Sequence, residues 1–130
     1  MISIETAAEA RRGMALPEPV MTLVLDGELG EEELTEVGHE LFRLIHRGRR
    51  RVVLDLTDVS HVDYRGIRAL VARAELFRRS AGDIKLCGLS PYLKAVFRAG
   101  GAHQTFEFYE TAPQAQAAFG PARRTPGNRI

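Results

Sequence analysis

The apolar positions of the chain switch between continuous runs and helical spacing. VMTLVLDGEL, residues 20–29, is dense in β-formers and stops at Gly30, which predicts a strand. From Glu31 the period changes. Leu34, Val37, Leu41, Leu44 and Ile45 recur at three- and four-residue steps, behind three glutamates placed where a helix dipole favours anions. Arg47-Gly48 ends that helix. RVVLDL, residues 51–56, is too short and too continuously apolar for anything but a buried strand. A polar loop then leads through the corner Asp63-Tyr64-Arg65-Gly66 into a second helix. Ile67, Leu70, Val71, Ala74 and Phe77 share one face of it, and Ser80-Ala81-Gly82 stops it.

The alternation continues to the end of the chain. DIKLCGL, residues 83–89, predicts another strand. Ser90-Pro91 supplies an N-cap and a first-turn proline for a short helix carrying Leu93, Val96 and Phe97, ended by Gly100-Gly101. FEFY, residues 106–109, predicts a last strand, and Thr111 caps a final helix with Ala115, Ala118 and Phe119 turned inward. At the other end, ISIETA can pair as a first edge strand, followed by a connection punctuated by Gly13, Pro17 and Pro19. Beyond Gly120, PARRTPGNRI has almost no apolar content and reads as a disordered tail. One domain is therefore expected over residues 1–119, of which 1–19 form the edge strand and loop. Strands alternating with helices predict an α/β domain with a mixed, mostly parallel sheet. Helices starting near Glu31, Asp63 and Ser90 should pack over it and bury Leu54, Leu56, Ile67, Leu70, Ile84, Leu86 and Phe97.

Composition narrows the class. A chain of 130 residues suffices for one domain with a core of its own, and 45% apolar with 27% charged residues is ordinary for a globular protein. The net charge of +1 supplies no overall field toward nucleic acid or a membrane, so direct nucleic-acid binding and membrane insertion are not expected. No apolar run reaches membrane-spanning length, and MISIETAAEARR lacks the apolar centre of a signal peptide. The one cysteine, Cys87, cannot close an internal disulfide, which points to a reducing cytoplasm.

Candidate catalytic chemistry is thin. His39, His46, His61 and His103 have no metal-site spacing, and Cys87 sits inside an apolar strand, where a thiol is packing material. AGGAH, residues 99–103, lacks the lysine and hydroxyl of a phosphate loop. Asp55, Asp58 and Asp63 cluster at one strand end and could suggest a magnesium site. The simpler reading has Asp58 shaping a turn and Asp63 capping the next helix. Neither a cofactor nor an enzyme activity is expected.

The stretch VVLDLTDVSHVDYRGIRALVARAELFRRSAGDIKLCGLSPYLKAVFRAGG, with LVLDGEL upstream, resembles the STAS domain family of sulfate transporters and anti-sigma-factor antagonists. The resemblance covers residues 20–119, and the chain's length is similar to that of the free-standing bacterial anti-anti-sigma proteins. In that family the phosphorylatable members carry Asp-Ser-Ser-Gly or Asp-Thr-Ser-Gly at the corner. The hydroxyl residue before the glycine takes phosphate from a serine kinase that is also the anti-sigma factor. The unmodified protein binds the kinase and frees the sigma factor. Asp63 and Gly66 match this pattern; Tyr64 replaces the first hydroxyl residue and Arg65 the acceptor. Gly30 departs too, because many relatives have an aspartate after GEL.

A guanidinium can neither accept a phosphoryl group nor mimic one, being of the opposite charge. The resemblance thus implies a partner-binding surface without its usual Ser/Thr switch, formed by Glu28, Gly30, Glu31, Asp58, Ser60, His61, Asp63, Tyr64, Arg65, Gly66 and Arg68. Arg65 and Arg68, one turn apart, could face an acidic or phosphorylated partner, or simply solvent; Tyr64, Ser60 and Thr57 are the remaining hydroxyls nearby. The implied partner is an anti-sigma factor of the serine-kinase type or another STAS or signalling protein, with association of two copies left open. The alternative is a non-catalytic subunit of a stressosome-like assembly or of a membrane lipid-transport complex. A small-molecule sensor is a third reading.

Overall fold

The structure, a computed structural model, describes residues 2–6 and 18–120. Strands β1 (Ile2–Thr6), β2 (Val20–Leu29), β3 (Arg51–Val62), β4 (Asp83–Cys87) and β5 (Phe108–Tyr109) form one sheet in chain order. The β1–β2 pair is antiparallel and the other three pairs are parallel. Helices α1 (Glu31–His46), α2 (Ile67–Arg79), α3 (Pro91–Ala99) and α4 (Ala112–Ala118) lie between and after the strands. The mixed, mostly parallel sheet expected from the sequence is present. The predicted tail and most of the predicted connection after β1 lie outside the described residues.

Strand alternation sorts the side chains to two faces. Leu23 and Leu25, Val52, Leu54 and Leu56, and Ile84 and Leu86 join the main core with the apolar faces of α1, α2 and α3. All seven residues expected to be buried are buried there. On the opposite face a much smaller core joins Val20, Val53 and Cys87 to Ala115 of α4. The final helix begins at its Thr111 cap as expected, but Ala118 is exposed rather than inward. With one short helix on that face, only the stripe holding Ala115 reaches the sheet. FEFY contributes only Phe108–Tyr109 to the sheet, while Phe106 turns into the main core.

The largest departure from expectation is the polar stretch after RVVLDL. It is not a loop, because β3 runs on to Val62 and pairs with the far end of β2. Two register shifts, at Val24/Asp26 and Gly27/Glu28, accommodate the extension, and Gly27 takes the left-handed conformation (φ +79°) that a bulge demands. Leu56, Val59 and Val62 then point inward at three-residue steps, a spacing that no strand period reveals. Asp58 consequently does not shape a turn. It stands exposed on β3, opposite Asp26 of β2.

Candidate functional site

The ends of β2 and β3 bring two distant segments side by side. Glu28 pairs with His61 and Leu29 with Val62, and the Asp63 amide donates to the Leu29 carbonyl at 2.9 Å. This bond sets the start of α1 beside the corner that follows β3. At that start, Gly30 has no side chain to cap with, and its own amide is satisfied by Glu33 Oε1 at 2.9 Å.

The corner is a single 3-10 turn, Tyr64–Gly66, leading into α2. Asp63 caps it, as expected, by accepting the Arg65 amide at 2.9 Å through Oδ1. The same carboxylate takes the Arg65 guanidinium, Nε to Oδ1 at 3.1 Å and Nη2 to Oδ2 at 2.8 Å. Those bonds hold the Asp63 carboxyl down at about 2, the side-chain bonds of Arg65 contributing most and its amide next. Asp63 raises the Arg65 pKa in turn. The cation on the first turn of the helix therefore brings its own counter-charge. Arg65 is two-thirds exposed, yet clamped in place rather than extended beside Arg68.

Gly66 is required here by contact rather than by backbone angle. A Cβ at that position would meet Leu34 Cδ1 at 2.3 Å, so α1 crosses directly over the turn. The crossing leaves a shallow groove between the two helix starts, lined by Glu31, Glu32, Thr35, Glu36, Arg65 and Ala69. On the other side, a second hollow is lined by Tyr64, Arg65, Arg68, Ala99 and Gly100. The clamp thus separates an acidic flank on α1 from a cationic and aromatic flank facing α3.

Most of the sequence-predicted residues converge at this end. Glu28, Glu31, Asp58, Ser60, His61, Tyr64, Arg65 and Arg68 are exposed, and Gly30, Asp63 and Gly66 are half-buried. One neighbour escaped the sequence reading. Tyr92, in the first turn of α3 and 52% exposed, stacks on His61 with ring centroids 5.7 Å apart. Its hydroxyl and His61 Nδ1 share a hydrogen bond of 2.5 Å. Tyr64 is 59% exposed, so two accessible tyrosines flank the corner. Nothing local marks Tyr92, since 31 residues separate it from His61.

The other aspartate of the predicted cluster is engaged locally. Asp55 Oδ1 accepts the Thr57 amide at 3.0 Å and the Thr57 hydroxyl at 2.6 Å. Among the described residues no three His, Cys, Asp or Glu side chains are grouped to hold a metal, and no helix is long and apolar enough to cross a membrane. Cys87 is fully buried, and burial, followed by the nearby Asp55 carboxylate, pushes its thiol up to about 12.

Comparison with known proteins agrees with this fold. Residues 13–115 match the STAS domain family. BtrV of Bordetella bronchiseptica, which bears the name of an anti-sigma factor antagonist, is 31% identical over 95 residues, covering 73% of this chain and 82% of BtrV. The Bacillus cell fate determinant SpoIIAA, solved in its phosphorylated form, matches with a TM-score of 0.64 at 19% identity, over 92% of this chain and 99% of its own. An anti-sigma factor antagonist from Mycobacterium paratuberculosis matches with a TM-score of 0.66 at 22% identity, over 89% and 93% of the two chains. At such identities the two structures speak for the fold. The family match and the relationship to BtrV go further: the chain belongs to the STAS domain family, with a domain of the anti-sigma factor antagonist-like kind.

Proposed function

We propose that this chain is a non-catalytic regulatory module that binds an anti-sigma factor, or a related signalling protein, through the corner built by Glu28, Gly30, Glu31 and residues 58–68. It does so without a phosphoryl switch at position 65. The observation that carries the reading is the Asp63–Arg65 clamp. The frame of the family's acceptor turn is kept, with its aspartate cap and its glycine under α1, while the hydroxyl is replaced by a guanidinium bonded to that cap. A protein so built is constitutively in its partner-binding form. Exposed tyrosine and arginine side chains on a rigid turn suit a protein interface, where these residue types carry much of the binding energy. The kinship with BtrV supports a partner in sigma-factor control.

The experiment starts with a pull-down from the native cell and mass spectrometry of what is retained. If a kinase-type anti-sigma factor is recovered, incubation with it and ATP should leave the native protein unphosphorylated, whereas Arg65→Ser should gain one phosphate at Ser. Phosphate on Tyr64 or Ser60 of the native protein would show that the switch has moved. In isothermal titration, Tyr64→Ala should weaken binding by about 1–3 kcal/mol if the corner is the interface. Unchanged affinity in both Tyr64→Ala and Arg68→Ala would remove this face from the reading.

A further inference from the structure

The second face of the sheet holds a set of contacts unrelated to the corner. Lys85, on β4, is buried beneath the end of α4. Its Nζ donates to Glu107 Oε1 at 2.6 Å and to Asp83 Oδ2 at 3.2 Å, and Tyr109 donates its hydroxyl to the same Glu107 oxygen at 2.6 Å. Burial alone would lower the lysine's pKa; the bonds to Glu107 and Asp83 outweigh it and raise it, so Lys85 stays charged. That charge lies 4.7 Å from the centre of the Phe119 ring, and the Arg51 guanidinium lies 5.7 Å from the same ring. Arg51 also donates through Nη1 to the Gly120 carbonyl at 3.1 Å. Further along, Gln116 Nε2 donates to the buried Thr22 hydroxyl at 2.9 Å.

These contacts hold down a seven-residue helix whose apolar footprint is one small cluster: Val20, Val53, Cys87 and Ala115, with Tyr109, Ala112 and Phe119 packed against it. The sheet separates this cluster from the main core, so lifting α4 breaks none of the packing among α1, α2 and α3. A unit with so little apolar burial and so few cross-links is the kind that opens below the global unfolding free energy. Cation–π contacts to Phe119 are among its attachments.

We propose that α4 is a strap that opens as a unit over an otherwise intact domain, and that Lys85 and Arg51, gripping Phe119, set how often it opens. Opening bares Cys87 and the Val20–Val53 surface of the sheet. The strap works independently of the corner proposed to bind partners.

Cys87 is the chain's one thiol and makes a built-in reporter. Labelling with a water-soluble aromatic disulfide, followed across low urea concentrations, measures how often water reaches it. A strap predicts labelling with a shallow urea dependence, faster than global unfolding measured by circular dichroism allows. Phe119→Ala should raise the labelling rate about tenfold or more while the global midpoint moves little, with Phe119→Leu in between because packing survives and the cation–π contact does not. Phe77→Ala, in the main core, should lower the global midpoint and leave labelling in water nearly unchanged. The proposal fails if labelling carries the full urea dependence of global unfolding, or if Phe119→Ala and Phe77→Ala both accelerate it only in proportion to the global stability they lose.

Discussion

Asp63 receives three hydrogen bonds from a single neighbour, one from the Arg65 amide and two from its guanidinium. An i,i+2 pair does not meet on a regular helix, but a 3-10 turn after an extended residue folds the second side chain back over the first. The charge consequence is measurable. Carboxyl carbon NMR should find Asp63 titrating near 2, and Arg65→Ala should bring the midpoint back toward the ordinary 3.8. Since the folded value lies below the unfolded one, Asp63 contributes to stability above about pH 4 and loses that contribution as the pH falls toward 2. A midpoint indifferent to Arg65→Ala would mean that the clamp does not form in solution. The sequence shows Asp63 as a cap, because capping is local. It leaves Arg65 facing either a partner or solvent, since the direction of a long side chain depends on the turn beneath it.

The elements were legible wherever one rule governed many residues. The helical period of α1, the Ser90 cap of α3, whose Oγ accepts the Leu93 amide at 3.1 Å, and the Thr111 cap of α4 all stand where the sequence places them. The second half of β3 was not legible. Asp58, Ser60 and His61 are poor in strand propensity, and they are extended because the equally polar end of β2 lies alongside. Gly66 belongs to this scale too, since it lets α1 rest on the turn that starts α2. Gly66→Ala should cost about 1–3 kcal/mol in urea denaturation, the cost of forcing Leu34 aside. A variant as stable as the native protein would show that α1 yields without strain, and that close packing against Leu34 does not demand a glycine at this crossing.

Across the whole molecule, stability should be graded by how many neighbours each strand has. Residues 52–55 of β3 lie between β2 and β4 with the main core on one side and the small core on the other, so their amides should exchange most slowly with solvent. Amides of α4 should exchange orders of magnitude faster, β1 and β5 being the next to open because each pairs on one side only. Hydrogen exchange by mass spectrometry would show this order, and equal protection of α4 and β3 would contradict both it and the strap. The near-neutral net charge also takes on a different meaning at this scale. Around the corner, Glu31, Glu32 and Glu36 occupy one flank while Arg68 and Tyr64 occupy the other, so a molecule with little overall field has a strongly patterned site.

By itself the sequence determined the α/β alternation, the helix limits, the buried set from Leu54 to Phe97 and the guanidinium at position 65. Each of these is a property of neighbouring residues: a period, a cap, a run, or the chemistry of one side chain. Only the tertiary structure decided that β3 extends to Val62, that Tyr92 stands against His61, that Arg65 is spent on Asp63, and that Lys85 and Arg51 close on Phe119. Every one of those depends on pairing across the sheet, on a turn's geometry, or on which face a short helix covers. Such contacts join residues that no local period relates, and they form because the sheet brings their strands and loops to the same end or face.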